Sequence, residues 1–484
     1  MNFRQLSRLL GGMNLLLSAF MLPPLVLGVI DGRGWNPFLW SIGCCLLISA
    51  VPFAMFRGSP ADITRREGFA LVTLAWLSAS VFGALPFYLS GYFDSYTHAF
   101  FEAVSGFTTT GATILPRVAH LPRSILLWRS MIQWLGGMGI VLLTMAIMPL
   151  LGVGGVMLFK AEVPGPSVEK LRPRIRATAK LLWWVYAILT AAAACCLWLA
   201  GMDIFDAVCH AFTALATGGF SVHDAGVMGY DNAAVEWVLI LFMLIAGCNF
   251  VLHYHAFRGR LLTYAGNEEF RWYIGFFLGI SSAVLLSLAV GEKPVALGQQ
   301  IRHALFQTAS LMTTTGFHSA DFEAWRLSAP AVLVLLTVAM FLGGMGGSTG
   351  GGVKTVRVVA AIKLMQHTLY QLLHPRAVTR IRLDGVLLPQ NSLNIMLGFL
   401  CLHGLLFVSV ATLMAMLGLD GVTAVSATAA CLNNIGPGFL AVGPLSNYSA
   451  IPSVGQWILA ITMLIGRLEL FTVIIMLTPD YWRR

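Results

Sequence analysis

Apolar residues gather into ten long runs along this chain, at about 13–30, 37–56, 68–89, 124–150, 179–201, 234–256, 270–290, 329–345, 393–417 and 453–477. A bilayer core about 30 Å thick is crossed by roughly 20 apolar residues in a helix, so each run predicts a crossing. Shorter apolar stretches lie within the last four pairs of runs, near 94–110, 203–217, 298–315 and 421–435. They are too short to span and predict re-entrant half-helices. Each stops at a small-residue turn around a glycine: Thr108-Thr109-Thr110-Gly111, Leu215-Ala216-Thr217-Gly218, Thr313-Thr314-Thr315-Gly316 and Asn433-Asn434-Ile435-Gly436. A unit that returns four times predicts four like elements closed around one axis. The fold expected is an all-α polytopic membrane protein with four pseudo-symmetric helix–pore-helix–helix repeats around a central pore. A two-helix N-terminal extension (1–67) precedes the repeats at 68–165, 166–262, 263–385 and 386–484.

Composition agrees with this pattern. Hydrophobic residues are 57% of the 484 and charged residues 11%, against about a quarter charged in soluble domains. Arg4 and Arg8 before the first run imitate a signal peptide, but Pro23-Pro24 interrupts it and no convincing small-x-small site follows, so a retained, kinked helix is expected. Alternating crossings from a cytoplasmic N-terminus place 22 of the 30 Lys and Arg on the inner side and 7 on the outer, with Arg467 inside the last run. That asymmetry is what the positive-inside rule uses. The basic inner face suits anionic lipid, and nucleic acid is not an expected partner. The eight cysteines all fall in apolar segments without metal-ligand spacing and are expected to pack.

The turns suggest a chemistry. Irregular backbone inside hydrocarbon must be buried in protein or line a wet cavity. Successive carbonyls can face one axis only if the backbone visits conformations that glycine tolerates, which gives Gly111, Gly218, Gly316 and Gly436 a task. The half-helices would aim their partly negative C-terminal ends at the cavity, favouring a cation. Carbonyls so arranged replace the water around a dehydrated ion. A single glycine of this kind is more simply a turn after a helix; four at matching places favour an ion pathway.

The segments Ser105-Gly106-Phe107-Thr108-Thr109-Thr110-Gly111-Ala112-Thr113 and Gln133-Trp134-Leu135-Gly136-Gly137-Met138-Gly139 resemble the TrkH/TrkG family of potassium-translocating subunits. So do 343–355 and Gly466-Arg467-Leu468-Glu469-Leu470-Phe471-Thr472, the most specific of the four. KtrB and plant HKT transporters are wider relatives. The resemblance implies uptake of K+ as the transported ion, a homodimer, and a cytosolic regulatory ring of TrkA-type nucleotide-binding subunits. It implies a potassium filter of Thr109, Thr110, Gly111, Ala216, Thr217, Gly218, Thr314, Thr315, Gly316, Asn434, Ile435 and Gly436. Glycine in all four repeats goes with potassium in that family. The fourth repeat departs most, with Asn434-Ile435-Gly436-Pro437 where the others have threonines, so a single well-formed site is expected.

The stretch 343–352 is glycine apart from Met345, Ser348 and Thr349, and at about 1 kcal/mol per glycine it cannot continue a helix. It is not a P-loop, because Val353 separates Gly352 from Lys354. The resemblance makes it an intramembrane gating loop, with Gly346, Gly347, Ser348, Thr349, Gly350, Gly351, Gly352 and Lys354 as gate residues. Arg467 sits midway along the last apolar run, where a charge costs at least about 2.5 kcal/mol, and is a functional candidate by default. Residues two apart on a helix do not face each other, so a pair with Glu469 is not expected. Arg467 facing the pore would repel a cation and hydrogen-bond the loop carbonyls. Glu102 is expected to add negative potential at the first pore helix or to serve as its hydrogen-bonded support. Gly136, Gly137 and Gly139 are expected as close-packing positions, and His253 and His255 as interfacial. Gated conduction and proton-coupled transport both remain open, although no relay of buried acids and histidines is evident. A transporter with a midplane solute site would show two related halves rather than four units. An intramembrane enzyme would need a nucleophile–base pair or metal cluster, and none is evident.

Overall fold

The computed structural model describes residues 3–55, 64–151, 171–291, 296–377 and 380–483. Each of the ten apolar runs carries helix. Among the described residues five helices are long and apolar enough to cross a membrane, or up to seven if each bent pair is one span. The only strands among the described residues are Arg382–Leu383 and Val386–Leu387, an antiparallel hairpin.

Two runs that hydropathy presents as continuous are broken. Ala233–Ala246 and Phe250–Phe257 bend by 104°, and Ser453–Arg467 and Leu470–Leu477 by 115°. Asn249 starts the second half of the first pair, its side chain accepting from the Val251 amide at 2.9 Å. His253 then reaches back 2.9 Å to the Ile245 carbonyl near the break and lies 2.6 Å from the Tyr264 hydroxyl. It is buried at 5% exposure. Glu469 makes the other break, at φ +57°. Neither break carries a proline or a glycine tract, so the apolar signal runs through both. The break expected from the glycine tract is present, between Pro330–Phe341 and Thr355–Leu373.

Four short helices occupy the half-helix positions: Tyr96–Phe107, Ile204–Leu215, Leu297–Met312 and Gly421–Leu432. Three begin on side-chain caps, Ser95, Asp203 and Asp420, each accepting from a backbone amide of the first turn. Hydrogen bonds from Thr423 and Val422 hold the exposed Asp420 below the usual carboxylate range. On the first pore helix Glu102, fully buried, pairs with Arg129 at 2.8 Å and accepts from Thr113 and from the Ile114 amide. Arg129 continues to the Ser221 carbonyl (3.1 Å) and stacks 4.2 Å over Phe220. Glu102 is therefore the support expected of it, and the pair ties the first repeat to the second.

Other pore helices use the same device with different residues. His210 lies 3.0 Å from the Ser221 hydroxyl, and Ser426 accepts from the Phe439 amide at 2.9 Å. Each therefore clamps the chain segment that follows its own turn.

Removing one partner of a buried ion pair leaves the other charge unpaired, at about 3–5 kcal/mol. Arg129→Met is expected to lower the thermal unfolding temperature in detergent markedly, and the double variant with Glu102→Gln to recover part of the loss. Equal melting of wild type and Arg129→Met would contradict this role.

Candidate functional site

All four pore helices end in one closure. In each, the amide of the third residue past the helix bonds back to the carbonyl five residues earlier at 2.8 Å: Thr110 to Ser105, Gly218 to Thr213, Thr315 to Ser310 and Ile435 to Ala430. The residue before it is left-handed: Thr109 (φ 51°), Thr217 (54°), Thr314 (61°) and Asn434 (56°). This is the Schellman pattern, but three of the four left-handed positions hold β-branched threonine, a costly choice that surroundings must enforce.

The glycine follows two residues after the left-handed position: Gly111 (φ 80°), Gly219 (76°), Gly316 (81°) and Gly436 (101°). The second turn is thus one residue out of the register that the sequence suggested. Gly218 is structurally equivalent to Thr110, Thr315 and Ile435, and Ala216 caps the helix as Thr108 does. The adjacent pair Gly218-Gly219 made both registers legible, and only the helix end, at Leu215, decides between them.

These glycines bring the turns into contact. A Cβ at Gly111 would lie 2.0 Å from the Gly218 carbonyl oxygen, one at Gly219 2.1 Å from that of Thr315, one at Gly316 1.8 Å from that of Ile435, and one at Gly436 2.6 Å from that of Thr110. The sequence of neighbours closes on itself, first to second to third to fourth to first. Gly111, Gly219, Gly316 and Gly436 are therefore positions where any side chain would push the ring apart.

Polar side chains brace the ring, from outside the turns and from Asn434 within the fourth. Gln133 donates to the Gly218 carbonyl (2.7 Å) and accepts from the Phe220 amide (3.1 Å). Asn434 donates to the Thr110 hydroxyl (3.0 Å) and to the Met463 carbonyl (2.9 Å). Tyr448 donates to the Gly436 carbonyl at 2.7 Å. Gly136 and Gly137 permit the close packing expected, since a Cβ there would meet the Phe107 carbonyl oxygen at 1.9 Å and the Ala216 Cα at 2.8 Å.

The glycine-rich loop packs against the pore-helix ends. Gly351 donates to the Thr314 hydroxyl at 2.6 Å, and Thr349 donates to the Leu215 carbonyl at 3.0 Å. A Cβ at Gly350 would lie 3.1 Å from the Thr313 carbonyl oxygen, and one at Gly351 2.4 Å from that of Asn433. Three of the four pore helices are thereby touched. Inside the loop Ser348 donates to the Met345 carbonyl at 2.6 Å, and the buried Lys354 ammonium to the Gly350 carbonyl. Gly347 (φ 78°) abuts Asn249, and Gly352 (φ 63°) abuts Asn433. The Gly346 amide is held by Glu269.

Arg467, 2% exposed, ends its helix beside this loop. It donates to the Thr349 carbonyl at 2.7 Å and to the Gly136 carbonyl at 3.4 Å. As expected it does not pair with Glu469, which instead meets Arg357, and the Arg357 guanidinium stacks 3.9 Å over Phe399. The break at Glu469 gave no sequence signal, and neither did the bracing by Gln133 and Tyr448.

A family model described as TrkH, cation transport protein, matches residues 38–483. The chain is 40% identical over 489 residues to the Trk system potassium uptake protein TrkH of Halomonas elongata, covering 100% of both. The Trk system potassium uptake protein TrkG of Escherichia coli (strain K12) is 32% identical over 485 residues, with 99% of each chain covered. The crystal structure of the potassium transporter TrkH from Vibrio parahaemolyticus superposes with a TM-score of 0.92 at 37% identity, covering all of both chains. With its full-length helical bundle this is a multi-pass membrane protein, and it belongs to the TrkH family of cation transport proteins.

Proposed function

We propose that the chain is the potassium-translocating subunit of a Trk-type uptake system, conducting K+ through the ring of four turns. The carrying observation is the cyclic contact of Gly111, Gly219, Gly316 and Gly436 with the neighbouring carbonyls. Such closure gathers four helix C-terminal ends, each with partial negative charge, onto one point. There they favour a monovalent cation stripped of water. The names of the relatives give the ion. The filter residues are Thr109 to Gly111, Thr314 to Gly316, Asn434 to Gly436 and, in the second repeat, Thr217 to Gly219 in place of Ala216 to Gly218. The repeats divide at 68–165, 166–262, 263–385 and 386–484.

The loop of Gly346, Gly347, Ser348, Thr349, Gly350, Gly351 and Gly352, with Lys354 and Arg467, is the gate. Its contacts with the ends of three pore helices, and the hydrogen bond from Arg467 to Thr349, support this reading. Arg467 repels a passing cation electrostatically and ties the loop to the second helix of the first repeat. Gated conduction fits better than proton coupling. The buried acids among the described residues are Glu102, Glu236 and Glu269. They are occupied by Arg129, Arg302 and two backbone amides respectively, so none is left as a relay. The membrane potential then supplies about 2.3 kcal/mol per charge per 100 mV. The protein works as a homodimer in the bacterial inner membrane with both termini cytoplasmic, in contact with anionic lipid. A TrkA-type ring on the inner face regulates it.

Rubidium uptake by potassium-starved cells lacking their own systems tests conduction and register together. Gly219→Ala places a Cβ on a carbonyl, and uptake is expected to fall at least about tenfold, about 1.4 kcal/mol. The three atoms nearest a Cβ at Gly218 all belong to the Gln133 side chain, which can move, so Gly218→Ala is expected to retain more uptake than Gly219→Ala. The opposite order would return the filter to Ala216, Thr217 and Gly218, and no uptake by the wild type would defeat the proposal.

The gate is tested by efflux. Arg467→Ala, Arg467→Gln, or deletion within 346–352 is expected to raise passive rubidium efflux from loaded vesicles and to weaken regulation. Efflux equal to wild type in all three would remove these residues from the gate.

A further inference from the structure

The glycine-rich loop is held at both ends by one side chain. Glu269, 8% exposed, accepts through the same carboxylate oxygen from the Gly346 amide at 2.7 Å and from the Val356 amide at 3.1 Å. One amide belongs to the loop's start and the other to the helix Thr355–Leu373 that leaves it. Both hydrogen bonds end on one oxygen, so this side chain sets the spacing between the two ends.

Glu269 lies in the first turn of the helix Glu268–Gly291, and that turn is fastened to the hairpin Arg382–Leu383 and Val386–Leu387. Asp384 and Gly385 form its tip, both left-handed at φ 49° and 75°, the backbone of the tight turn that an Asp-Gly pair favours. Asp384 accepts from the Glu268 amide at 2.5 Å and from the Asn267 side chain at 3.1 Å, while its own amide donates to the Glu268 carboxylate at 3.0 Å. The exchange is a capping box made between two distant segments. Lys363 completes it, pairing with Glu268 and donating to the Arg382 carbonyl at 2.6 Å. Glu268 and Glu269 are consecutive, so a rotation of this turn that follows Asp384 also moves the oxygen on which the loop hangs.

We propose that Glu269 is the positioning residue of the glycine-rich loop, and that the hairpin tip at Asp384 holds Glu269 in place through its exchange with Glu268. This rests on the reading of the loop as a gate. The contacts of the tip are solvent-exposed while the far end of the line is buried. Loss of the Asp384–Glu268 exchange loosens the first turn, releases the Gly346 and Val356 amides, and lets the loop leave the pore-helix ends.

The test is rubidium influx into vesicles reconstituted with the purified full-length chain, with sodium influx measured alongside. Asp384→Ala and Glu269→Ala are each expected to raise rubidium influx about tenfold, with the rubidium-to-sodium ratio unchanged. The double variant is expected to match the larger single effect, because both act along one line. Asp384→Asn keeps an acceptor oxygen and is expected to fall between wild type and Asp384→Ala. A merely structural lesion would instead lower influx or erode discrimination. Glu269→Gln accompanies Glu269→Ala as the milder change, in case the latter does not fold, and is expected to raise influx in the same direction. Influx within twofold of wild type for Asp384→Ala, or single effects that multiply in the double variant, would overturn the inference. A wild type that excludes rubidium would instead sink the conduction reading, and this inference with it.

Discussion

Everything in this molecule is arranged around the contact between a left-handed glycine in one repeat and a carbonyl oxygen in the next. At 1.8 to 2.6 Å from where a Cβ would stand, these oxygens leave no room for any other residue. The contact is made four times and returns to its start, so no turn can move without displacing its neighbours. Packed interiors of this kind shift between discrete arrangements and do not deform smoothly.

Strain is concentrated in the same place. Threonine at Thr109, Thr217 and Thr314 occupies backbone space where glycine or asparagine would sit at lower cost. The surroundings that hold it there are polar and buried: paired hydroxyls at Thr108 and Thr110 and again at Thr313 and Thr315, each pair 2.8 Å apart. Outside the ring, Gln133, Tyr448 and the Glu102–Arg129 pair carry the bracing into neighbouring helices. The glycine-rich loop then rests on the helix ends that the ring gathers.

Much of this was legible in the sequence because it depends on hydropathy and on glycine. Ten apolar runs, four interrupted pore segments and the tract at 343–352 are one-dimensional signals, and each coincides with helix or loop as expected. The placement of Arg467 against a loop carbonyl followed from the cost of a lone charge at membrane depth. What escaped depends on contacts between distant residues. The break at Asn249 is stabilised by local capping and by His253, and that at Glu469 is met by Arg357, with no composition change to announce either. The register of the second turn was lost because two adjacent glycines are equivalent until the end of the preceding helix is known. The partner of Glu469 is Arg357, 112 residues away, and no periodicity could have named it.

The central claim is that the ring of turns holds a dehydrated monovalent cation, and anomalous diffraction from crystals grown in rubidium tests it most directly. The account predicts a rubidium peak on the axis of the ring, at coordination distance from carbonyl oxygens in the turns that end at Gly111, Gly219, Gly316 and Gly436. Rubidium bound elsewhere in the molecule, with the ring itself empty, would contradict it.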